Sequence, residues 1–200
     1  MALISIPDPE ALILLALDDA IPDQLNRSPW TSRSQVVGLP GAEMWFIRAA
    51  IEPIATELEE RPWRAFAFAL KGRQNIFHYP IARQKHIGGK PLVDTGATDG
   101  YTLPLKGMAA STRILSAGQY LTVPLPSGHH RLVALTADLF TDAAGKGVAQ
   151  LNFELGEVPA LDTVVESANP FVPVRNSQSR GGFTYENAVS GRAFDLEEAL

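Results

Sequence analysis

Residues 63–71, WRAFAFALK, carry two overlapping hydrophobic patterns. Counted by twos, Phe66, Phe68 and Leu70 share one face of a strand, whereas counting by threes and fours gives one face of a helix. That helical face consists of Trp63, Phe66, Ala67 and Leu70. The stretch contains no β-branched residue and is rich in the helix formers Ala, Leu, Lys and Arg. Because Pro62 suits a first turn and Gly72 suits the position past a last turn, the sequence predicts a helix.

The predicted helix leaves Phe68 on its far side, next to Arg64 and Ala65. An extra N-terminal turn over residues 56–60 is compatible with the same pattern. Since a large aromatic side chain favours burial, Phe68 requires a second surface to cover it.

Strict alternation of apolar and other residues predicts strands on both sides of this helix. Over residues 43–51, Trp45, Ile47, Ala49 and Ile51 lie on one face. The aromatic run at residues 75–81 predicts another strand. Alternation in the last residues, around Phe194 and Leu196, predicts a terminal strand.

The first forty residues are punctuated by five prolines and predict only short strands and irregular crossings. Residues 11–17, ALILLAL, are the one candidate targeting segment. The run is too short to cross a bilayer, and acidic residues precede it where a secretory signal carries basic ones. We interpret it as a buried strand or a helix turn of an intracellular protein.

Residues 83–90, RQKHIGGK, resemble a linker because they are Gly-rich and lack large apolar side chains other than one isoleucine. Between residues 91 and 165, short strands alternate with turns, as in a small antiparallel barrel or sandwich. Their sequences are LVDT, YTLPL, RIL, QYLTV, RLVAL and AQLNFEL. The stretch ANPFVPVRNSQSRGG that follows is predicted to be irregular. A terminal strand is most simply paired with the first domain, so we predict a mainly β chain with a discontinuous domain, residues 1–87 and 170–200, and an inserted domain, residues 88–169.

Composition restricts the function classes. The chain has 200 residues, of which 46% are hydrophobic and 20% charged, as in a globular protein. Its net charge of −5 and its lack of a basic run argue against nucleic-acid wrapping. It has no cysteine, which excludes disulfides and thiol chemistry.

The sharpest chemical motif is DTG at residues 94–96. It resembles the loop of retroviral-type aspartic proteases, in which paired carboxylates share a proton and activate water. On that alternative, Asp94 is the catalytic acid of a homodimer. The favoured interpretation is a β-turn, because Gly191 and Arg192 are followed by Ala193 and no second protease element is present.

Other candidate sites are better explained as turns. His129 and His130 point to opposite faces of a strand and do not easily share one metal ion. Asp142 and Gly145 lack the spacing of a calcium loop, and Lys146 lies outside any complete phosphate loop. We therefore predict no catalytic, cofactor-binding or metal-binding residue.

Six segments follow one another in a recognisable order between residues 43 and 200. They are ERPWRAFAFALKGRQNIFHYPIAR, YTLPLKG, LSAGQYLTV, HRLVAL, GKGVAQLNF and SGRAFDLEEAL. Their order and spacing resemble those of the distal tail proteins of long-tailed bacteriophages, the siphophages.

This resemblance implies a non-enzymatic virion protein of the phage tail, assembled in the host cytoplasm. Its N-terminal β-sandwich-like domain, with one helix, would form a hexameric ring between the tail tube protein and the tail-tip or baseplate hub protein. DNA would pass through the lumen without specific binding, and no membrane would be involved. The inserted domain would be an oligonucleotide/oligosaccharide-binding-like (OB-like) barrel, which leaves a carbohydrate-binding tail module as an alternative. Phe68 becomes a candidate protomer interface residue.

Overall fold

The chain is built mainly from β-strands, with one α-helix, in a computed structural model that describes residues 1–38, 42–81, 84, 90–178, 181–186 and 189–199. This confirms the predicted mainly β class. Internal contacts divide the chain into two compact units. The first comprises Met1–Ala20, Met44–Tyr79 and Pro173–Ala199, and the second contains Ile21–Glu43 and Pro80–Val172. Both units are discontinuous in sequence, and the assignment of ring-forming and OB-like roles to domains stays a prediction.

A five-stranded sheet in the order β1-β4-β16-β13-β5 organises the first unit. Its strands are β1 (Leu12–Ala20), β4 (Met44–Ile51), β5 (Phe77–Pro80), β13 (Phe171–Asn176) and β16 (Ala193–Glu198). The terminal strand β16 runs antiparallel to β4, with Phe194 opposite Ala49. The expected return of the last strand to the first strands is therefore confirmed, whereas β13 lies in a stretch that we interpreted as irregular.

The helix α1 extends over Glu57–Ala69, so the extra N-terminal turn expected over residues 56–60 is present and the helix begins before Pro62. Thr56 caps it, since its hydroxyl oxygen accepts a hydrogen bond from the Glu59 amide at 3.3 Å. This cap accounts for the earlier start, and Pro62 lies inside the helix. At the other end, Gly72 has φ +66°, the left-handed conformation expected past a helix.

The buried face of α1 is the predicted one. Its members Trp63, Phe66, Ala67 and Leu70 are each at most 7% exposed. The Phe66 ring contacts Phe77 and Phe194 edge-on, with centroid distances of 5.1 and 6.2 Å. Because Phe77 and Phe194 lie on β5 and β16, this aromatic cluster attaches the helix to the sheet.

The second unit contains several small antiparallel sheets around a core of leucine and valine. Its strands are β2 (Asp23–Arg27), β3 (Ser34–Gly38), β6 (Leu92–Val93), β7 (Thr102–Lys106), β8 (Arg113–Leu115), β9 (Tyr120–Pro124), β10 (His130–Ala134), β11 (Leu139–Phe140) and β12 (Gly147–Gln150). The sheets pair β12-β7-β6, β9 with β10, and β8 with β11. Five of the six strands expected after residue 90 form where predicted; the sixth, AQLNFEL, coincides with β12 only at Ala149 and Gln150, and β11 is an additional strand. Two more strands, β14 (Thr184–Glu186) and β15 (Val189–Gly191), follow β13 in the chain and pair antiparallel; they belong to the first unit.

Two expectations for the first ninety residues have different outcomes. The run at residues 11–17 forms part of β1, but the prediction that it is buried is wrong for most of it. Leu12 is 7% exposed, whereas Leu15 is 56% exposed. The expected linker at residues 83–90 lies outside the described residues apart from Gln84 and Lys90.

Candidate assembly surfaces

The outer face of α1 exposes the residue that we selected from the sequence. Phe68 is 72% exposed and Leu58 is 76% exposed. Successive helical residues turn by about 100°, so Leu58, Ala65 and Phe68 lie within a sector of about 80°. Arg61 on the same side pairs with Glu57 at 3.2 Å. We call the side of α1 that carries Leu58, Arg61, Ala65 and Phe68 the outer helix face. It has an apolar residue at each end and an ion pair near the first turn of the helix.

A second apolar surface lies on the hairpin of β2 and β3, which we call the arm (residues 21–38). Every residue of its two strands is exposed. Leu25 and Val36 are directly opposite each other, and they are 61% and 60% exposed. A two-stranded hairpin in water is marginally stable unless one face packs against something. The arm therefore presents a face that suits a partner.

The strand β1 forms one edge of the five-stranded sheet. Within the described residues its strand partner is β4 alone, with Leu12 opposite Ile51 and Ala20 opposite Met44. A bulge interrupts the register between Leu14 and Ala16. The edge carries no charge from residue 11 to residue 17 and exposes Ile13 by 41% and Leu15 by 56%. An exposed apolar edge strand is a site for pairing with another chain.

Asp94, the candidate protease residue, lies in an ion cluster of the second unit. Its Oδ2 accepts a hydrogen bond from Lys146 Nζ at 2.6 Å, and its Oδ1 lies 3.8 Å from Lys106 Nζ. Lys106 also contacts Asp162 at 2.6 Å. The Lys146 hydrogen bond, followed by that of the Thr95 backbone, lowers the pKa of Asp94. A carboxyl group held ionised in this way is poorly suited to hold the shared proton of a protease pair.

The histidine pair and the turn at Asp142 belong to ordinary turns and strands. His129 closes a turn in which the Leu125 amide donates to the His129 carbonyl at 2.8 Å, and His130 begins β10. Asp142 Oδ1 accepts hydrogen bonds from the Ala144 and Lys146 amides, which confirms the predicted turn. Across the described residues, no group of three metal-ligating side chains comes together.

A concave site of about 160 Å³ lies beside His129, lined also by Leu125, Arg131 and Glu157. Arg131 is 3% exposed and its Nη2 donates to the Glu43 carbonyl at 2.8 Å. Glu157 accepts a hydrogen bond from the Ser127 amide at 3.0 Å. Ligand pockets typically have roughly 300–1,000 Å³, so the space is small for a ligand, and these two charged groups serve the local backbone.

Sequence reasoning found Phe68 and Asp94 but missed the arm. The available signal was a pair of short runs, DQLNR and SQVVG, on either side of the turn sequence SPWTSR. These runs contain few large apolar residues, so their alternation is weak.

Compared with known proteins, the sequence matches no family model and no curated protein. No helix in the described part of the chain has the length and apolar character needed to cross a membrane.

Proposed function

We propose that the chain is a structural subunit that assembles with copies of itself into a ring at the end of a bacteriophage tail. As a distal tail protein, it would connect the tail tube to the tail tip or baseplate as part of the virion. The observation that carries the proposal is the exposed apolar arm together with the uncharged β1 edge. In a monomer, the hairpin and the edge strand would both be exposed to solvent, whereas assembly would bury them.

The ring architecture follows from the kind of surfaces present. The arm, the β1 edge and the outer helix face differ from one another in sequence and shape. Different surfaces that meet between copies make a heterologous, head-to-tail contact, and such contacts close into rings when the rotation between copies permits. A hexamer is the ring size that the resemblance implies.

The acidic composition supports a passive route for DNA through such a ring. The chain carries 22 acidic and 17 basic side chains. Protein–DNA affinity arises largely from Lys and Arg side chains that neutralise phosphates. An acidic ring would therefore let duplex DNA pass without binding it specifically.

The ion cluster favours a structural role for Asp94 over the protease alternative. Protease chemistry requires a carboxyl group that shares a proton near its working pH. Asp94 instead pairs with Lys146 and Lys106, which connects β6, β7 and the turn before β12. We propose that the ion cluster connects strands of the second unit and that the protein is not an enzyme.

Electron microscopy and analytical ultracentrifugation of the purified chain test the ring. We expect rings with a central channel wide enough for duplex DNA. Leu25→Asp, in the arm, should reduce the ring fraction at least tenfold. Leu161→Asp is the matched control, because Leu161 is 53% exposed in a turn outside the three surfaces. A chain that stayed monomeric, alone and with tail proteins, or that formed only a compact dimer, would contradict the proposal.

A further inference from the structure

The turn that joins the two strands of the arm presents a tryptophan between two arginines. We call residues 27–33, RSPWTSR, the tip. Trp30 is 92% exposed, the highest exposure among the large hydrophobic side chains described, and Arg27 and Arg33 are exposed as well. Trp and Arg are the residue types most enriched among the residues that dominate binding energy in protein interfaces.

The tip has a defined conformation. The Ser32 amide donates to the Ser28 carbonyl at 3.0 Å, and the Ser28 amide donates to the Arg33 carbonyl at 2.9 Å. The Thr31 amide also donates to the Ser28 hydroxyl oxygen at 3.3 Å. These bonds close the turn and hold Trp30 outward, so docking this side chain requires little ordering of the backbone.

The first unit contains a cleft of about 400 Å³ whose lining is both apolar and acidic. Pro7, Pro53 and Pro62, whose rings are rigid, are among its lining residues. Ile54 and Trp63 also line the cleft and are largely buried, at 7% and 4% exposed. Proline rings and aromatic side chains pack well against each other, as in the recognition of proline-rich segments.

The lining of the cleft also contains three acidic residues. Asp8, Glu52 and Glu59 all belong to the cleft and all are exposed. Across the described residues, none of the three takes part in a salt bridge, and neither do Arg27 and Arg33. The cleft thus carries three negative charges and the tip two positive charges.

We propose that the tip of one copy docks into the cleft of a second copy. Trp30 would enter between the proline rings, and Arg27 and Arg33 would pair with carboxylates at the rim. The docking partner is a second copy because each chain carries both a tip and a cleft. The two parts are complementary: both have apolar residues, and the tip is positively charged whereas the cleft is negatively charged. This inference rests on the proposed function, since it supplies the head-to-tail contact from which a ring closes.

Charge reversal tests the contact in the full chain. Arg27→Glu with Arg33→Glu should weaken self-association at least tenfold, because glutamates would then face Asp8, Glu52 and Glu59. Glu52→Arg with Glu59→Arg should do the same. Combining all four substitutions in one chain should restore association, and raising the salt concentration should weaken the wild-type contact. Far-UV circular dichroism should show unchanged folding, because all four residues are exposed.

A mixing experiment identifies the partner as a second copy. A Trp30→Ala chain keeps its cleft but loses the docking side chain of its tip, whereas a chain altered only in the cleft keeps its whole tip. To isolate one contact, Trp30→Ala should be mixed with a chain carrying Glu52→Trp, which fills the cleft. Each variant alone should be monomeric, and the mixture should form a heterodimer that grows no further, as measured by sedimentation.

The outcomes separate this contact from the ring. Rings that persist unchanged in the Trp30→Ala and charge-reversed chains would overturn the docking and leave the ring function standing. If the mixture gives a heterodimer and the wild-type chain, measured alone, forms open filaments, the docking would be confirmed and the ring contradicted. A wild-type chain with no self-association at any concentration would overturn both.

Discussion

Phe66 and Phe68 are two positions apart on α1 and have opposite environments. Phe66 is 3% exposed and its ring contacts Phe77 and Phe194, whereas Phe68 is 72% exposed. Two helical steps correspond to about 200° of rotation, which places the two rings on opposite sides of the helix. One phenylalanine therefore belongs to the core and the other to the surface.

This difference predicts a large contrast in stability between two alanine variants. Phe66→Ala should lower the free energy of unfolding by about 3–5 kcal/mol, because it removes buried surface and leaves a cavity. Phe68→Ala should change it by less than about 0.5 kcal/mol. Urea unfolding at a concentration where both variants are monomeric measures the two values. Equal destabilisation would show that Phe68 is covered within its own chain.

The same residue tests the outer helix face as a protomer interface. Phe68→Asp should reduce the ring fraction, because assembly would then desolvate a charge with no counter-ion. Phe140→Asp is the control, since Phe140 is also an exposed phenylalanine (60%) and belongs to β11 rather than to the outer helix face. Size-exclusion chromatography with electron microscopy gives the readout. Rings that persist unchanged with Phe68→Asp would exclude Phe68 as an interface anchor.

The Asp94 cluster predicts a dependence of stability on pH. The pKa of Asp94 is lowered in the folded chain, so its contribution is present above the ordinary carboxyl pKa of about 4 and disappears as pH falls through the lowered value. The pKa of Lys106 is raised, first by the hydrogen bond to Asp162, so its contribution disappears as pH rises through that raised value, above about 10.

Melting curves of Asp94→Asn against pH measure this effect. The variant should melt below the wild type at neutral pH and approach it in acid, where the wild-type carboxylate is protonated. Asp99→Asn provides a control, because no salt bridge involving Asp99 is found among the described residues. A gap between wild type and Asp94→Asn that stayed constant into acid would contradict the ion-pair explanation.

Two glycines with similar backbone angles predict different costs for a methyl group. Gly145 has φ +72° and Gly128 has φ +88°. A Cβ on Gly145 would lie 2.3 Å from the Met108 carbonyl oxygen, whereas nothing lies within 4 Å at Gly128. Gly128→Ala should cost about 1–2 kcal/mol of backbone strain, and Gly145→Ala should cost more because the turn must also move. Equal losses in thermal unfolding would contradict the close contact.

Local patterns predicted much of the fold. The alternation in residues 43–51 correctly indicated β4 and its buried face, and helix propensity indicated α1 with Gly72 after its end. The extra N-terminal turn over residues 56–60 also forms, because the hydroxyl of Thr56 caps an acidic first turn and Pro62 is tolerated within the helix. β13 was missed because Pro173 and flanking polar residues obscure its alternation.

The sequence alone determined the class of the fold, because strand and helix preferences and turn chemistry act over a few residues. Only the tertiary structure decided which apolar residues remain exposed. Residues 11–17 are hydrophobic enough for a core, yet β1 became a sheet edge, and whether a strand is covered depends on distant partners. Likewise, strand pairing brings Asp94 into contact with Lys146, which lies 52 positions later in the sequence. Such contacts arise from packing between remote segments, which periodicity within one segment does not encode.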